Sequence, residues 1–450
     1  MKNVCIIGGG IAGLTAAFKL SSQNCKFTLL ESSERAGGVI GSSTDQGFLV
    51  ERGPNSFLNT SANLEEMINS LGLESQRISP SKDASNRFIV KRRKPIALPR
   101  GPINFLSTPL FSSLAKARIV AEPFTSNSTD DNESVSDFIK RRLGKEVLNY
   151  AVEPFVAGIY AGNPDLLCMK HAFPKLHKMV KENGSILAGI LNRISHPGRP
   201  HGVFGFKNGM HEFISALQDL FKNNVRYNSR GLAIEPTNGQ WLVRWDENGD
   251  NTEEVFDAVI LSVPLHQLRK FDAPQGLMDS FLEIGKLRYA PISVVAMGYR
   301  REQVRHPLDG FGMLVPRCEP FNILGTLFSS SLFPNRAPEG HVLITSFIGG
   351  ERAPEHLNLE DSSMEYLVQE DLRVLLGAIG TPRFKKVVRY TQAIPQYESD
   401  YSGVKETIKN IENTHAGLYL AGSFRSGISV PDTVDSTVDI IEKVEEYLDL

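Results

Sequence analysis

Cysteine is scarce in this sequence and carries no pattern. The 450 residues include 4 scattered cysteines and 10 histidines. Among them there is no C-x-x-C pair and no metal-ligand spacing, which argues against zinc sites, redox dithiols and iron–sulfur clusters. No G-x-S-x-G motif indicates a serine hydrolase. We therefore predict no metal site and expect the chemistry to come from another kind of group.

Long apolar runs and an excess of one charge are also missing. No stretch approaches the roughly 20 apolar residues that a membrane-spanning helix needs, and glycines at 8–10 interrupt the apolar N-terminus too early for a signal peptide. Lys and Arg total 49 against 51 Asp and Glu, which leaves a net charge of −2 and no general attraction for nucleic acid. We predict a cytoplasmic protein without a nucleic-acid partner, and leave open a peripheral contact with the cytoplasmic membrane.

The N-terminus has the strongest pattern in the chain. A short β-branched run at residues 3–7 is followed by Gly8-x-Gly10-x-x-Gly13 and a helix-forming stretch at 11–20. Such glycines allow a tight turn and a close approach of the backbone to a diphosphate, and the helix N-terminus favours negative charge. The pattern predicts a dinucleotide-binding turn of Rossmann type.

A second glycine-rich segment follows the next predicted strand. The apolar run 27–30 ends in Glu31, which stands at the distance where an acidic side chain accepts hydrogen bonds from an adenosine ribose. Directly after it comes Ser33-Glu34-Arg35-x-Gly37-Gly38, where a basic residue and a glycine pair suit a further wrap of backbone around a diphosphate. Together the two segments favour FAD, bound non-covalently, over NAD.

These motifs resemble those of the FAD-dependent amine oxidases, phytoene desaturases and protoporphyrinogen oxidases, which form one family. Its members also return a C-terminal segment to the flavin, and Leu418-Tyr-Leu-Ala-Gly422 resembles that segment. Within the family the sequence is most similar to the protoporphyrinogen oxidases, which include a coproporphyrinogen III oxidase branch. The stretches that carry this similarity are 51–56, 158–164, 169–174, 325–330, 333–338 and 347–350.

The resemblance implies an α/β fold made of interleaved segments. A Rossmann-type FAD-binding domain, a substrate domain with a mixed β-sheet and a helical insertion are expected, and in this family the insertion is associated with membrane contact and the substrate entrance. The expected boundaries are 1–80, 205–270 and 395–450 for the FAD-binding domain, 81–95 and 271–394 for the substrate domain, and 96–204 for the insertion.

The resemblance also assigns site residues. Arg87 is expected to hold a propionate of a tetrapyrrole, Leu314, Leu327 and Phe347 to sandwich its macrocycle, and Gly158 to lie in a signature stretch beside the substrate. The residues expected to bind FAD are Gly8, Gly9, Gly10, Ile11, Ala12, Gly13, Leu14, Glu31, Ser32, Arg35, Val39, Gly53, Pro54, Asn55, Ser56, Ala233, Gly422, Ile428, Ser429 and Val430.

The reaction implied by the resemblance is oxidation of a porphyrinogen in haem biosynthesis. A hydride would pass from a meso carbon to flavin N5 with loss of an N–H proton, three rounds would give the aromatic porphyrin, and dioxygen would be reduced to hydrogen peroxide. Protoporphyrinogen IX and coproporphyrinogen III both remain open as substrates. No side chain is assigned as catalytic acid or base, because the ring nitrogens of the substrate can lose their protons to water.

Other functions share parts of this pattern. A flavin amine oxidase would need an aromatic cage at the C-terminal flavin segment, where residues 423–427 offer only Phe424. A carotenoid desaturase would share both ends of the chain but has no need of Arg87, and a non-catalytic FAD carrier has no need of a large second domain. A homodimer and hand-over of the product to the next haem-pathway enzyme are also left open.

Overall fold

Strands and helices alternate along most of the chain, and strands distant in sequence meet in shared sheets. The computed structural model describes residues 1–23, 25–125, 130–195 and 202–450. Parts of the predicted helical insertion, residues 126–129 and 196–201, therefore lie outside the described residues. The strands are β1 (Lys2–Ile7), β2 (Cys25–Leu30), β3 (Ser42–Asp45), β4 (Phe48–Glu51), β5 (Phe57–Leu58), β6 (Arg77–Ile78), β7 (Asn86–Lys91), β8 (Lys94–Ala97), β9 (Val203–Phe206), β10 (Val225–Arg226), β11 (Ser229–Thr237), β12 (Gln240–Glu247), β13 (Asp250–Phe256), β14 (Ala258–Leu261), β15 (Tyr289–Arg300), β16 (Gly310–Leu314), β17 (Ile323–Leu327), β18 (His341–Gly349), β19 (Phe384–Pro395) and β20 (Leu418–Leu420).

The helices are concentrated between β8 and β9 in the chain, and elsewhere they cover the two main sheets described below. Helices account for most of the described residues between 102 and 195, and the expected insertion stays a prediction. The helices are α1 (Ile11–Ser21), α2 (Ala62–Ser70), α3 (Pro102–Ser107), α4 (Ser113–Val120), α5 (Val135–Arg142), α6 (Lys145–Val147), α7 (Glu153–Tyr160), α8 (Met169–Ala172), α9 (Pro174–Asn183), α10 (Ile186–Ser195), α11 (His211–Phe221), α12 (Leu265–Leu268), α13 (Gln275–Ile284), α14 (Ser329–Leu332), α15 (Asp361–Leu376), α16 (Tyr401–Thr414) and α17 (Val430–Leu448).

A parallel five-stranded sheet, in the order β10-β2-β1-β14-β20, carries the N-terminal motif. Its central strand β1 is apolar and buried from Val4 to Ile7, as strands covered on both faces are. Ile7 at its end lies opposite Leu30 on one side and Leu261 on the other. The sheet therefore combines the N-terminus with the middle and the C-terminus of the chain, and it confirms the predicted Rossmann-type unit of an α/β fold.

Helix starts follow the sequence signals for capping. Ser134 accepts a hydrogen bond from Asp137 N at 3.0 Å, and Ser61 accepts one from Leu64 N at 3.0 Å. At the C-terminus, Ser429 accepts from Asp432 N at 3.2 Å and caps α17, which begins at Val430. These bonds satisfy backbone N–H groups that have no partner within the helix.

A mixed seven-stranded sheet, in the order β19-β15-β18-β17-β16-β7-β8, forms the second layer. Its neighbouring strands are antiparallel except for β7 and β16, which are parallel. One face packs against α15, where Val295 and Met313 of the sheet join Val368 and Leu372 of the helix in one buried cluster. The opposite face is partly open. The exact boundaries of the three expected domains stay predictions.

The described part of the insertion is held together by a buried ion pair. Arg142 Nη1 lies 2.5 Å from Glu122 Oε1, and the two side chains are at most 1% exposed. Glu122 also accepts from the backbone N–H of Ile186 at 3.0 Å, at the start of α10. In the described ranges no helix has both the length and the apolar character required to cross a membrane.

Candidate active site

The glycine motif forms a turn with open space beside it. Gly8 has a φ of +111°, a conformation that favours glycine. A Cβ atom at Gly13 would lie 1.9 Å from the carbonyl oxygen of Gly8, whereas one at Gly10 would have no protein atom within 4 Å. No side chain caps the N-terminus of α1, so its first N–H groups face that space. The turn therefore fits the diphosphate of a dinucleotide.

Glu31 is tied to this turn. Its Oε2 accepts a hydrogen bond from Gly9 N at 2.8 Å, and its Oε1 accepts from Ser33 N at 2.8 Å. The Ser33 hydroxyl donates to the same Oε1 at 2.8 Å. The Ser32 hydroxyl also donates to Oε1, at 3.5 Å. Each carboxylate oxygen has about two lone-pair positions and Oε2 uses one, so Glu31 keeps capacity for a ribose hydroxyl at Oε2 while it holds the turn. Its predicted neighbour Ser32 is exposed at the edge.

Arg35 has a structural role that the sequence did not suggest. Its guanidinium donates to the carbonyl oxygens of Gly38 at 2.8 Å, Ile40 at 3.1 Å and Ala36 at 3.2 Å. These bonds fix the loop that carries Gly37 and Gly38. The side chain thus organises the loop, and its direct contact with a diphosphate stays a prediction.

A second loop meets the first beside the glycine motif. Arg52 N donates to the carbonyl oxygen of Gly41 at 2.7 Å, and a Cβ at Gly53 would lie 2.4 Å from the carbonyl oxygen of Val39. A Cβ at Gly38 would lie 3.4 Å from Gly10 Cα. The predicted residues Gly10, Val39 and 53–56 are therefore gathered at one place, and Val39 is 45% exposed there.

The C-terminal segment is held by two tyrosines that sequence reasoning missed. The Tyr401 hydroxyl donates to the carbonyl oxygens of Phe424 at 2.5 Å and Arg425 at 2.7 Å, and the Tyr397 hydroxyl donates to that of Ser423. The two rings stack with centroids 4.3 Å apart. The two tyrosines stand four residues apart, and that spacing was the one sequence feature that could have drawn attention to them. The predicted residues Gly422 and 428–430 follow from this segment into α17, whereas Ala233 lies apart on β11 and is 5% exposed.

The predicted substrate residues share one face of the seven-stranded sheet. Arg87 and Leu327 both lie opposite Gly312, while Leu314 and Phe347 both lie opposite Gly325. Residues opposite one another, and residues two apart on a strand, project to the same side. We call this side the slot face. Leu314, Leu327 and Phe347 are half-buried and Arg87 is exposed, so the register brings an apolar strip and a rim cation together.

Helix α7 borders the slot face closely. A Cβ at Gly158 would lie 2.6 Å from Leu314 Cδ2, so the glycine lets the helix approach the sheet. At the rim, the Arg87 guanidinium carbon lies 5.4 Å from the centre of the Phe311 ring. Gly158 therefore shapes the border of the slot face, and its contact with a substrate stays a prediction.

A buried carboxyl behind the second loop was not predicted. Glu51, at 3% exposure, accepts hydrogen bonds from the Ser42 hydroxyl and, at 3.2 Å, from Met210 N. Arg336 Nη2 lies 3.4 Å from Glu51 Oε1 and is 2% exposed. Burial raises the pKa of Glu51 to about 7, although Ser42, Arg336 and Met210 each lower it. The pair links the cofactor loop to the segment that follows α14.

A dinucleotide turn beside a half-buried apolar face is the arrangement of a flavoprotein oxidoreductase, in which the protein positions a substrate against the cofactor. The family model described as flavin containing amine oxidoreductase matches residues 11–438. The chain belongs to that family, and its cofactor is FAD. The predicted resemblance, fold and cofactor are thereby confirmed.

Named relatives span essentially the whole chain. Mitochondrial protoporphyrinogen oxidase of Nicotiana tabacum is 33% identical over 482 residues, which cover 100% of this chain and 95% of that protein. Coproporphyrinogen III oxidase of Bacillus subtilis (strain 168) is 27% identical over 473 residues, with coverage of 99% and 98%. A crystal structure from Exiguobacterium sp. 255-15, provisionally assigned as a protoporphyrinogen oxidase, has a TM-score of 0.84 at 24% identity and covers 100% of this chain and 99% of that one. This last likeness supports the fold.

Proposed function

We propose that this protein oxidises protoporphyrinogen IX to protoporphyrin IX in haem biosynthesis, with FAD as the electron acceptor. The observation that carries the proposal is the slot face, where an apolar strip ends in the exposed Arg87 guanidinium. A porphyrinogen is a broad apolar ring with carboxylate arms, and such a ligand requires an apolar surface with a cation at its rim. The tobacco relative, at 33% identity, is named for this substrate.

The cofactor is assigned to the loops gathered at the parallel sheet. The glycine motif 8–14 binds the diphosphate through backbone N–H groups, and Glu31 accepts from the ribose. Residues 53–56, Val39, Gly422 and 428–430 line the remaining cofactor surface, with Ala233 at the adenine end. When bound, FAD supplies the two-electron acceptor of the reaction.

The substrate is assigned to the slot face. The Arg87 guanidinium binds one propionate, while Leu314, Leu327 and Phe347 contact the macrocycle and exclude water. Holding a reactant in a fixed orientation lowers the barrier without any acid or base, and no side chain is assigned to accept the proton. Dioxygen as the final electron acceptor, a homodimer and hand-over to the next pathway enzyme stay predictions.

Coproporphyrinogen III is the second candidate substrate. The Bacillus subtilis relative that is named for this substrate is 27% identical to the chain, and the match covers 98% of that relative's length. Its additional propionates would need further cations, and the exposed Arg100 near Arg87 offers one, because its Nη2 bonds to Asn86 Oδ1 at 2.7 Å. The same redox chemistry would apply to both substrates.

Peripheral membrane attachment is proposed for the helical insertion, in a protein we place in the cytoplasm. Several large apolar side chains there face solvent: Ile103 is 81% exposed, Leu114 82% and Phe124 91%. Exposed apolar residues grouped in this way mark an interaction surface. Flotation of the purified protein with phospholipid vesicles tests the attachment.

Anaerobic bleaching of the flavin tests the substrate class. FAD-loaded protein is mixed without oxygen with a porphyrinogen, a primary amine or phytoene, and the flavin absorbance is followed. We expect rapid bleaching by the porphyrinogen alone. Bleaching by the amine or by phytoene, with none by the porphyrinogen, would move the protein to the amine oxidase or desaturase branch.

A further inference from the structure

The Tyr390 hydroxyl is buried, and in the described residues no acceptor for its proton lies within hydrogen-bond distance. A buried polar group left without a partner costs free energy, roughly 1–3 kcal/mol for a neutral one. Such a group marks a place where a ligand or a water completes the hydrogen bonding.

Tyr390 lies on the slot face. It is opposite Ile292, which is opposite Gly349 on the next strand, two residues beyond Phe347. Because side chains alternate along a strand, Tyr390 and Phe347 project to the same side. Both pack against the apolar cluster that includes Ala157 of α7. The tyrosine is thus part of the same surface as the proposed substrate residues.

Tyr390 and Arg87 stand at opposite ends of the slot face, and the end with Tyr390 is the one near the cofactor loops. The sheet order puts β7, with Arg87, five strand steps from β19, with Tyr390. At about 4.8 Å for each step, the two residues stand roughly 24 Å apart. The proposed macrocycle contacts belong to β16, β17 and β18, between these ends.

The cofactor loops meet Tyr390 at this end. Burial raises the pKa of Tyr390, while the charge and a side-chain hydrogen bond of Arg52, and the charge of Arg35, oppose that rise. Arg52 belongs to the loop that bonds to Gly41, and Arg35 organises the loop before it. A tyrosine hydroxyl keeps its proton at neutral pH and arginine can only donate, so the Tyr390 proton is available for an acceptor.

We propose that the Tyr390 hydroxyl and the Arg52 guanidinium together bind a polar oxygen of the flavin ring and stabilise the negative charge that the ring gains on reduction. Uptake of two electrons and one proton converts the neutral ring to an anion, so a hydrogen-bond donor and a cation bind the reduced form more tightly than the oxidised form. Tighter binding of the reduced form raises the midpoint potential of the flavin. The inference rests on FAD binding and is independent of which porphyrinogen is oxidised.

The midpoint potential of the bound flavin, measured without substrate, tests the pair. Tyr390→Phe and Arg52→Gln each remove one donor, whereas Arg52→Lys keeps the charge. We expect each removal to weaken binding of the reduced ring relative to the oxidised ring about tenfold, which lowers the two-electron potential by about 30 mV, and Arg52→Lys to retain most of the wild-type value. Tyr366→Phe is the control, because Tyr366 is 64% exposed on α15, at the opposite face of the sheet.

The outcomes separate the two sources of the oxygen. An unchanged potential with a raised KM for the porphyrinogen would overturn the flavin assignment and give the pair to a substrate carboxylate. An unchanged potential with an unchanged KM would overturn the proposal altogether. Should Tyr390→Phe fail to fold, Arg52→Gln alone decides, since Arg52 is exposed. A protein inert towards porphyrinogens would still give its flavin potential, so failure of the proposed substrate is distinguishable.

Discussion

At the scale of single residues, Arg87 is the side chain that we propose to bind a carboxylate of the substrate. It is exposed at the rim of the slot face, so a carboxylate that it binds stays partly hydrated and the contribution is moderate. We predict that Arg87→Ala raises KM for the porphyrinogen about tenfold, equivalent to about 1.4 kcal/mol, with the FAD content unchanged. Steady-state kinetics and flavin absorbance measure both quantities.

The matched control for Arg87 lies in the next turn of the chain. Lys94 is an exposed cation at the start of β8. It lies opposite Lys91, which is four residues beyond Arg87 along β7, so Lys94→Ala removes the same charge at a distance from the proposed propionate site. If KM rises equally in both variants, Arg87 acts only through general electrostatic attraction of the substrate. A normal KM for Arg87→Ala would refute the propionate assignment.

Glu51 gives the molecule a pH dependence of opposite sign to that of most carboxylates. Its pKa in the folded protein is about 7, above the ordinary 4.5, so the folded state binds more protons between these values. Its contribution to the free energy of unfolding is therefore complete below about pH 4.5 and is lost as the pH rises through 7. The shift sets an upper limit of about 3 kcal/mol.

The pH dependence due to Glu51 is measured by comparing the stability of the wild type with that of Glu51→Gln. The free energy of unfolding of the wild type minus that of Glu51→Gln should fall between pH 4.5 and 7 and stay level above, as measured by urea denaturation. Glu74→Gln, at an exposed carboxyl, should give a level difference throughout. A level difference for Glu51→Gln as well would contradict an ionisation near pH 7.

At the scale of elements, the turn from β1 into α1 has two kinds of glycine. Gly13 is required by the fold itself, because its Cβ would overlap the Gly8 carbonyl oxygen at 1.9 Å, whereas a Cβ at Gly10 meets no protein atom within 4 Å. Gly13→Val should therefore lose FAD along with local structure. Gly10→Ala should fill only the space assigned to the diphosphate.

We predict that Gly10→Ala weakens FAD binding at least tenfold and leaves the unfolding of the apoprotein within about 0.5 kcal/mol of the wild type. Flavin titration and denaturation of the apoprotein measure the two effects. Gly276→Ala is the control, since a Cβ there also meets no atom within 4 Å, and it should retain FAD. Full retention by Gly10→Ala would place the diphosphate elsewhere.

The elements also explain which parts of the site could be read from sequence. The glycine motif and Glu31 were predictable because their contacts lie within one βαβ unit, as in the bond from Gly9 N to Glu31. The slot face was reached only through family resemblance. Its parallel pair of strands joins residues such as Asn86 and Asp309, which are 223 positions apart and bonded at 2.9 Å, and periodicity carries no information about such pairing.

The residues that sequence reasoning missed depend on charge and burial set by distant segments. No local sequence pattern shows that the Tyr390 hydroxyl is buried beside Arg52 without an acceptor. Likewise, nothing in the loop at 51–56 indicates that Arg336 will lie against Glu51. Arg35 was named as a cofactor residue, yet its side chain bonds to its own loop. In each case the role follows from what the fold places around the side chain.

At the scale of the whole molecule, the two sheets divide the work of the enzyme. The parallel sheet gathers strands from three distant stretches of chain and positions the cofactor loops, while the seven-stranded sheet presents the slot face. Gly158 lets α7 approach the slot face, and Tyr397 and Tyr401 hold the C-terminal segment. We propose that this arrangement brings a porphyrinogen to FAD.

Aerobic turnover followed by porphyrin fluorescence tests directly whether the protein oxidises a porphyrinogen. Purified, FAD-loaded protein is supplied with protoporphyrinogen IX and coproporphyrinogen III in parallel, against controls without enzyme. We expect a fluorescent porphyrin to form much faster than in the controls, with protoporphyrinogen IX preferred. A flavin-loaded protein that accelerates neither oxidation would contradict it.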